Sequence, residues 1–317
     1  MSPNFIDVSA RHLTHVAARC AAAQWFAIGA LTPAKLPKDE EVVDVEALIL
    51  ASLGLAEFEP RLGTLAKSWV TKNAELVSIA RLGALFARSF GSVESELRAL
   101  ARIMERSDPR WKSLLPKDEV REPAPRPYGD RDRAMPPRWR GSRTLMLQLR
   151  RGMGVGVKPD LISILLGLRN SWTDVSTLTD LSGYTSAGVR RAADELADAA
   201  FIETTQASTR VYRARPTRWS GLVEGLKAPI WRRRADGFAF VLSWRDYLKR
   251  ASASSANNLS VSIAFGKLMT DYWPMWNEVG VTQEPVSDDP SNAWAPREAA
   301  VDALRTWFGG GGSETKR

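Results

Sequence analysis

Four side chains near the middle of the chain have the types and spacing for contact with a polyanion: Thr185, Ser186, Arg190 and Arg191. Short hydroxyls at a helix start lie where unpaired backbone N–H groups and a partial positive charge already favour phosphate. An arginine one turn later can hold a phosphate or fork onto O6 and N7 of guanine in a major groove. Downstream, Gln206, Ser208, Arg210 and Arg213 flank a polar break between two short alternating stretches, and Arg215 and Arg218 follow. Upstream, Arg138, Arg140 and Arg143 stand beside Trp139 and Gly141 after a run of prolines. Arginine in such company can lie along a phosphate backbone or in a narrow minor groove, although a solvated linker has the same composition.

The residues for other chemistry are missing. His12 and His15 share a helix face at i, i+3, with Cys20 a little over one turn further on. A metal site offers more ligands at tighter, paired spacing, so ordinary helix-surface residues fit better. With both histidines confined there, no Ser-His-Asp arrangement can be drawn. The chain also lacks Gly-x-Ser-x-Gly, His-Glu-x-x-His and any pair of cysteines. Asp39-Glu40-Glu41 and Asp288-Asp289 sit beside prolines and read as solvated turns. Gly152 to Gly156 has neither a strand before it nor a Gly-Lys-Ser/Thr after it, which rules out a nucleotide loop. The expectation is a protein that is not an enzyme and uses no cofactor and no metal.

The elements that must position the polar set can be read from caps and periodicity. Asp160 to Arg169 carries a broad apolar stripe (Leu161, Ile162, Leu165, Leu166, Leu168), with Pro159 suited to its first turn. Thr173 or Asp174 can cap a short helix through Ser182, and Gly183 closes it. Thr185 or Ser186 caps the next helix, which runs to about Ala200 with Val189, Ala192 or Ala193, Leu196 and Ala200 inward. Asp194, Glu195 and Asp198 make its later exposed side acidic, so only its first turns would face an anion. Phe201 to Thr204 and Arg210 to Arg213 alternate as a hairpin. The order is helix, turn, helix and hairpin.

This stretch, Lys158 to Trp219, resembles the winged helix-turn-helix of bacterial regulators of the MarR and ArsR type. The resemblance rests on Leu181-Ser-Gly-Tyr-Thr-Ser186, Val189-Arg-Arg191 and Leu196, followed by Phe201-Ile202 and a hairpin. It covers about a fifth of the chain, and Ala200 stands where those families usually have glycine. It implies that Thr185, Ser186, Arg190 and Arg191 enter a major groove while the wing holds phosphates. The wider layout weakly resembles the antitoxins of type IV toxin–antitoxin systems, which carry their winged helix at the N-terminus rather than centrally.

Around this unit the chain reads as helical. Asn4 to Ala30, Val45 to Ala56, Pro60 to Thr71, Leu76 to Phe90 and Ser92 to Arg106 form an N-terminal helical domain (1–106). Leu65 to Leu76 admits a second helix-turn-helix, but two packed helices with a turn at Asn73 explain it. Residues 107–157 read as a Pro/Arg-rich linker; from Arg106 to Val157 it carries thirteen Lys+Arg against six Asp+Glu, nearly the whole net charge of +8. A Trp-rich C-terminal helical domain (221–308) has helices over Ile230 to Ser252, Leu259 to Val279 and Pro296 to Phe308, and its aromatic face suits a core or a dimer contact. The tail 309–317 reads as disordered.

The expected fold class is therefore mainly α, with a central winged helix-turn-helix (158–220) and a small β-hairpin wing between two helical domains. The single Cys20 suits a reducing cytoplasm, and no apolar run approaches a membrane span. The expected function is a sequence-specific regulator of transcription, most simply a repressor, that binds double-stranded DNA as a homodimer. Two alternatives stay open: a winged helix that docks a protein partner, and a phage-defence accessory protein that binds DNA without sequence preference.

Overall fold

The computed structural model describes residues 3–30, 40–116, 137–139, 141–205, 209–223, 229–253, 258–282 and 294–309. It is mainly helical. The first five helices are α1 (Pro3–Ala27), α2 (Val45–Leu55), α3 (Pro60–Lys72), α4 (Ile79–Ser89) and α5 (Glu94–Met104). Next come α6 (Leu145–Met153), α7 (Val157–Gly167), strand β1 (Thr173–Asp174), α8 (Val175–Ser182) and α9 (Ser186–Asp198). Strands β2 (Glu203–Thr204) and β3 (Val211–Arg213) precede α10 (Ser220–Val223), α11 (Arg234–Ala253), α12 (Asn258–Asp271), α13 (Trp273–Val279) and α14 (Trp294–Phe308).

The core is organised around α2. Every one of its residues is buried, as expected of a helix that is apolar on all sides, and the Asp44 side chain caps its start by accepting the Ala47 amide. It packs on α1, α3, α4 and α11, and α1 packs in turn on α11 and α14. The helical stretches before and after the central unit thus share one contiguous core. Trp25 meets Trp69 at 5.5 Å, and its indole N–H donates to Ser52 Oγ at 2.8 Å.

The aromatic residues of α11 to α13 face inward. Phe240 meets Phe265, Tyr272 and Trp276 edge-on, and Trp244 meets Phe265 at 4.9 Å. Edge-to-face stacking of this kind adds to the area that the rings bury. Among the described residues of this region the large exposed apolar side chain is Ile263, and Phe240, Trp244, Phe265 and Trp276 belong to the core.

The sequence reading makes 107–157 an extended linker, and the structure departs from it at both ends. Pro109–Leu114 forms a 3-10 turn that buries Trp111, and α6 buries Leu145, Met146, Leu147, Leu149 and Arg150. The prolines stop at Pro137, which frees the following apolar run to become helical. The proline-rich part, 117–136, lies outside the described residues, as does the tail 310–317.

Three strands form one antiparallel sheet in the order β1-β3-β2, with Thr173 opposite Tyr212 and Glu203 opposite Arg213. The sequence indicates only β2 and β3; β1 is two residues long, too short to show alternation. Helix α7 packs on α6, α8, α9 and β3, which places this sheet and α8–α9 against the larger helical body. At Gly167 a side chain could not fit, because a Cβ there would come within 2.7 Å of the Trp231 backbone nitrogen; that nitrogen donates to the Gly167 carbonyl at 2.9 Å.

Candidate nucleic-acid interface

The local sequence makes the turn between α8 and α9 unambiguous. Asp174 caps α8 by accepting the Thr177 amide at 2.7 Å, and Gly183 ends it in the left-handed region at φ 73°. Thr185 then caps α9, its Oγ1 accepting the Gly188 amide at 3.2 Å. Val189, Ala192, Ala193 and Leu196 are the buried side of α9, whereas Ala200, expected on that side, lies past the helix end and is exposed. Thr185, Ser186, Arg190 and Arg191 are all exposed, and neither arginine makes an ion pair among the described residues. A capped helix start, two hydroxyls and two exposed guanidinium groups thus share one solvent-facing end, with Arg190 and Arg191 near enough to Asp194 and Glu195 to help lower those carboxyls.

The acidic residues further along α9 have internal partners. Asp194 accepts from Tyr212 Oη at 2.7 Å and Arg210 at 2.8 Å, and the Tyr212 hydrogen bond holds its carboxyl below the ordinary aspartate value. Arg210 remains largely exposed while tied to α9. Glu195 pairs with Lys158 at the start of α7. Tyr212 and Arg210 thus join the sheet, and Lys158 joins α7, to the acidic middle of α9.

The other residues singled out in the sequence are scattered. Arg213 alternates with the buried Tyr212 on β3, so it faces the opposite side of the sheet. There its guanidinium pairs with Glu203 at 2.7 Å and covers the Trp172 ring at 4.2 Å, leaving it 18% exposed and engaged rather than free for phosphate. Arg138 donates its amide to the Ile28 carbonyl and lies over Phe26 at the end of α1. Arg143 pairs with Glu40 at 3.6 Å and is largely buried. The partners of both belong to the α1–α2 region and not to α9. Gln206, Ser208 and Arg140 lie outside the described residues.

Sequence reasoning missed the group that sets the α8–α9 turn. Arg81 on α4 binds Asp44 Oδ2 at 2.6 Å and Glu46 Oε2 at 2.8 Å, and its Nε donates to the Ser182 carbonyl at 2.7 Å. Arg150 on α6 binds Glu46 Oε1 at 2.6 Å and both Asp160 oxygens at 2.7 Å. Tyr184 Oη donates to Asp160 at 2.8 Å and lies 2.8 Å from Ser78 Oγ. Burial pushes the Glu46 carboxyl up, but the two arginines outweigh it and bring it down to about 2. Tyr184 is held well above the ordinary tyrosine value by burial and by Asp160. The residues immediately before α9 are therefore bolted to α2, α4, α6 and α7. One sequence signal existed: Glu46 is the lone charge inside an apolar helix and needed a buried partner.

A cleft of about 740 Å³ opens beside α8, with Arg88, Asp180, Arg233 and Asp236 among its lining residues. Those four charges pair with one another, so nothing in them selects a ligand. The described residues hold no group of three or more His, Cys, Asp and Glu placed for a metal, and none of their helices is long and apolar enough to cross a membrane. Comparison with protein-family models, curated proteins and solved structures finds no match for this chain.

Proposed function

We propose that residues 157–213 form a winged helix-turn-helix that binds double-stranded DNA, that α9 is its recognition helix, and that the protein regulates transcription in the cytoplasm. One observation carries this reading: Thr185, Ser186, Arg190 and Arg191 converge on the exposed start of α9, and its two arginines have no ion-pair partner among the described residues. Helix α8 packs across α9, and the antiparallel β2–β3 pair follows, which is the order that such a module needs. The excess of basic residues over the whole chain agrees with a polyanionic partner.

In this reading the hydroxyls and N–H groups at the start of α9 fix phosphates, and Arg190 and Arg191 reach base edges. Arg210, held by Asp194, sets the second strand of the wing at the flank. Arg213, Arg138 and Arg143 take no part in the duplex contact. The test is binding of the full chain to labelled duplex from its own upstream region and to random duplex, across a salt series. A preference of at least about a thousandfold for the upstream duplex is the expected outcome. Equal and salt-steep binding to both would replace the regulator with a protein that coats DNA through charge alone.

A further inference from the structure

The outer face of the three-stranded sheet carries a second set of groups that the duplex reading does not use. Trp172 is 43% exposed and Phe201 45% exposed, among the few large apolar side chains left in solvent. They belong to one continuous surface. Arg213 covers the Trp172 ring and pairs with Glu203, and Glu203 also binds Arg215 at 2.7 Å and Arg218 at 3.5 Å. Arg218 donates to the Ala200 carbonyl at 2.9 Å, next to Phe201. Trp219 closes the series: its indole N–H donates to the Phe201 carbonyl, and the two rings lie 5.8 Å apart.

Both rings follow the end of a helix, α7 for Trp172 and α9 for Phe201. Three non-glycine residues among those described have positive φ: Arg169 at 54°, Asn170 at 67° and Ala200 at 60°. The first two make the corner that leads into Trp172, and the third immediately precedes Phe201. A left-handed residue commonly closes a helix, and these positions lie just past the ends of α7 and α9. Here the corners hold aromatic rings in water beside arginines.

We propose that this face binds an unpaired nucleic-acid strand, its bases stacking on Trp172 and Phe201 and its phosphates held by Arg169, Arg215 and Arg218. Exposed rings interleaved with arginine are what a single strand uses, since every base has a π face and no base-edge contact is needed. Three arginines share one carboxylate, Glu203, so the surface is positive; the exposed Arg169 stands just before Trp172 in the chain and makes no ion pair among the described residues. A second copy would bring the same charge against it. An acidic protein segment would answer the charge but not the flat rings. The proposal goes beyond duplex reading and does not depend on it.

The experiment is fluorescence anisotropy of the full chain with a fluorescein-labelled strand of twenty thymidines, alongside a labelled duplex. Trp172→Ala and Phe201→Ala are each expected to weaken strand binding by roughly fivefold to a hundredfold, the range for losing one stacked base, with duplex binding held within about twofold. Circular dichroism checks that the fold survives. Arg169→Ala, a surface change that does not touch the core, is expected to lower the salt slope for the strand by about 0.7. Arg190→Ala with Arg191→Ala separates the two readings, because it should leave strand binding intact whatever it does to the duplex. The proposal is overturned if the strand does not bind at low salt or if both ring variants bind it as the native chain does. It is also overturned if polyglutamate displaces the strand at equal charge concentration, which would assign the face to an acidic protein.

Discussion

Arg81 and Arg150 are completely buried, each held by two carboxylates and a backbone carbonyl, whereas Arg190 and Arg191 stand exposed on α9 with no ion pair among the described residues. The residue type is the same and the consequences are opposite. A buried guanidinium must be fully paired, since leaving its partners uncompensated costs several kcal/mol, and it therefore locks helices together. An exposed one does little for the fold and remains free for an outside anion. Arg150 belongs to the basic stretch Arg106 to Val157, yet it serves the interior. Net charge alone does not separate the two kinds; the partners do.

Removing a buried arginine should give the largest effect. Arg150→Met leaves Glu46 and Asp160 without their shared cation, and urea unfolding should show a loss of about 3–5 kcal/mol. A loss under 1 kcal/mol would mean that the cluster does not hold α2, α6 and α7 together.

The same cluster gives a pH dependence. The Glu46 carboxyl is lowered from 4.5 to about 2, so its contribution is present above pH 4.5 and is lost as the pH falls towards 2. The shift is worth on the order of 3 kcal/mol. Denaturant titrations from pH 5 to pH 2 should lose stability across that window, and Glu46→Gln should remove this part of the slope. Stability that rises on acidification would reverse the assigned sign.

Tyr184→Phe sharpens the comparison from between the two regions. It deletes the hydrogen bonds to Asp160 and Ser78 and should cost about 1–3 kcal/mol. Because Tyr184 adjoins the cap of α9, duplex affinity should also fall, although Tyr184 is not a proposed DNA contact. Unchanged affinity would separate the cluster from the proposed recognition helix. The smallest effect on folding is expected at the surface: Arg190→Ala and Arg191→Ala should each leave unfolding within about 0.5 kcal/mol.

Much of the fold could be read from local chemistry. The α8–Gly183–α9 turn showed itself through Asp174, Gly183 and Thr185, because caps and a left-handed glycine act over three or four residues. Ala200 adopts the left-handed conformation that glycine takes more readily. Helix α6 escaped notice because its apolar run is short and follows a proline-rich, charged stretch. The buried cluster joins residues as far apart as Glu46 and Arg150, and no local rule pairs positions at that separation. For the same reason the site was only partly legible. Thr185, Ser186, Arg190 and Arg191 come together because one helix carries them. Arg138 and Arg143 go to the α1–α2 region through contacts with Phe26 and Glu40 that spacing does not reveal.

The most direct test of the central claim, that the start of α9 is where this protein meets duplex DNA, is the affinity of the Arg190→Ala/Arg191→Ala double variant for the upstream duplex. Each arginine that reads a base should contribute about 1–3 kcal/mol, so binding should fall by at least tenfold while the unfolding midpoint stays put. Full retention of affinity by a folded double variant would contradict the claim and move the interface elsewhere on the molecule.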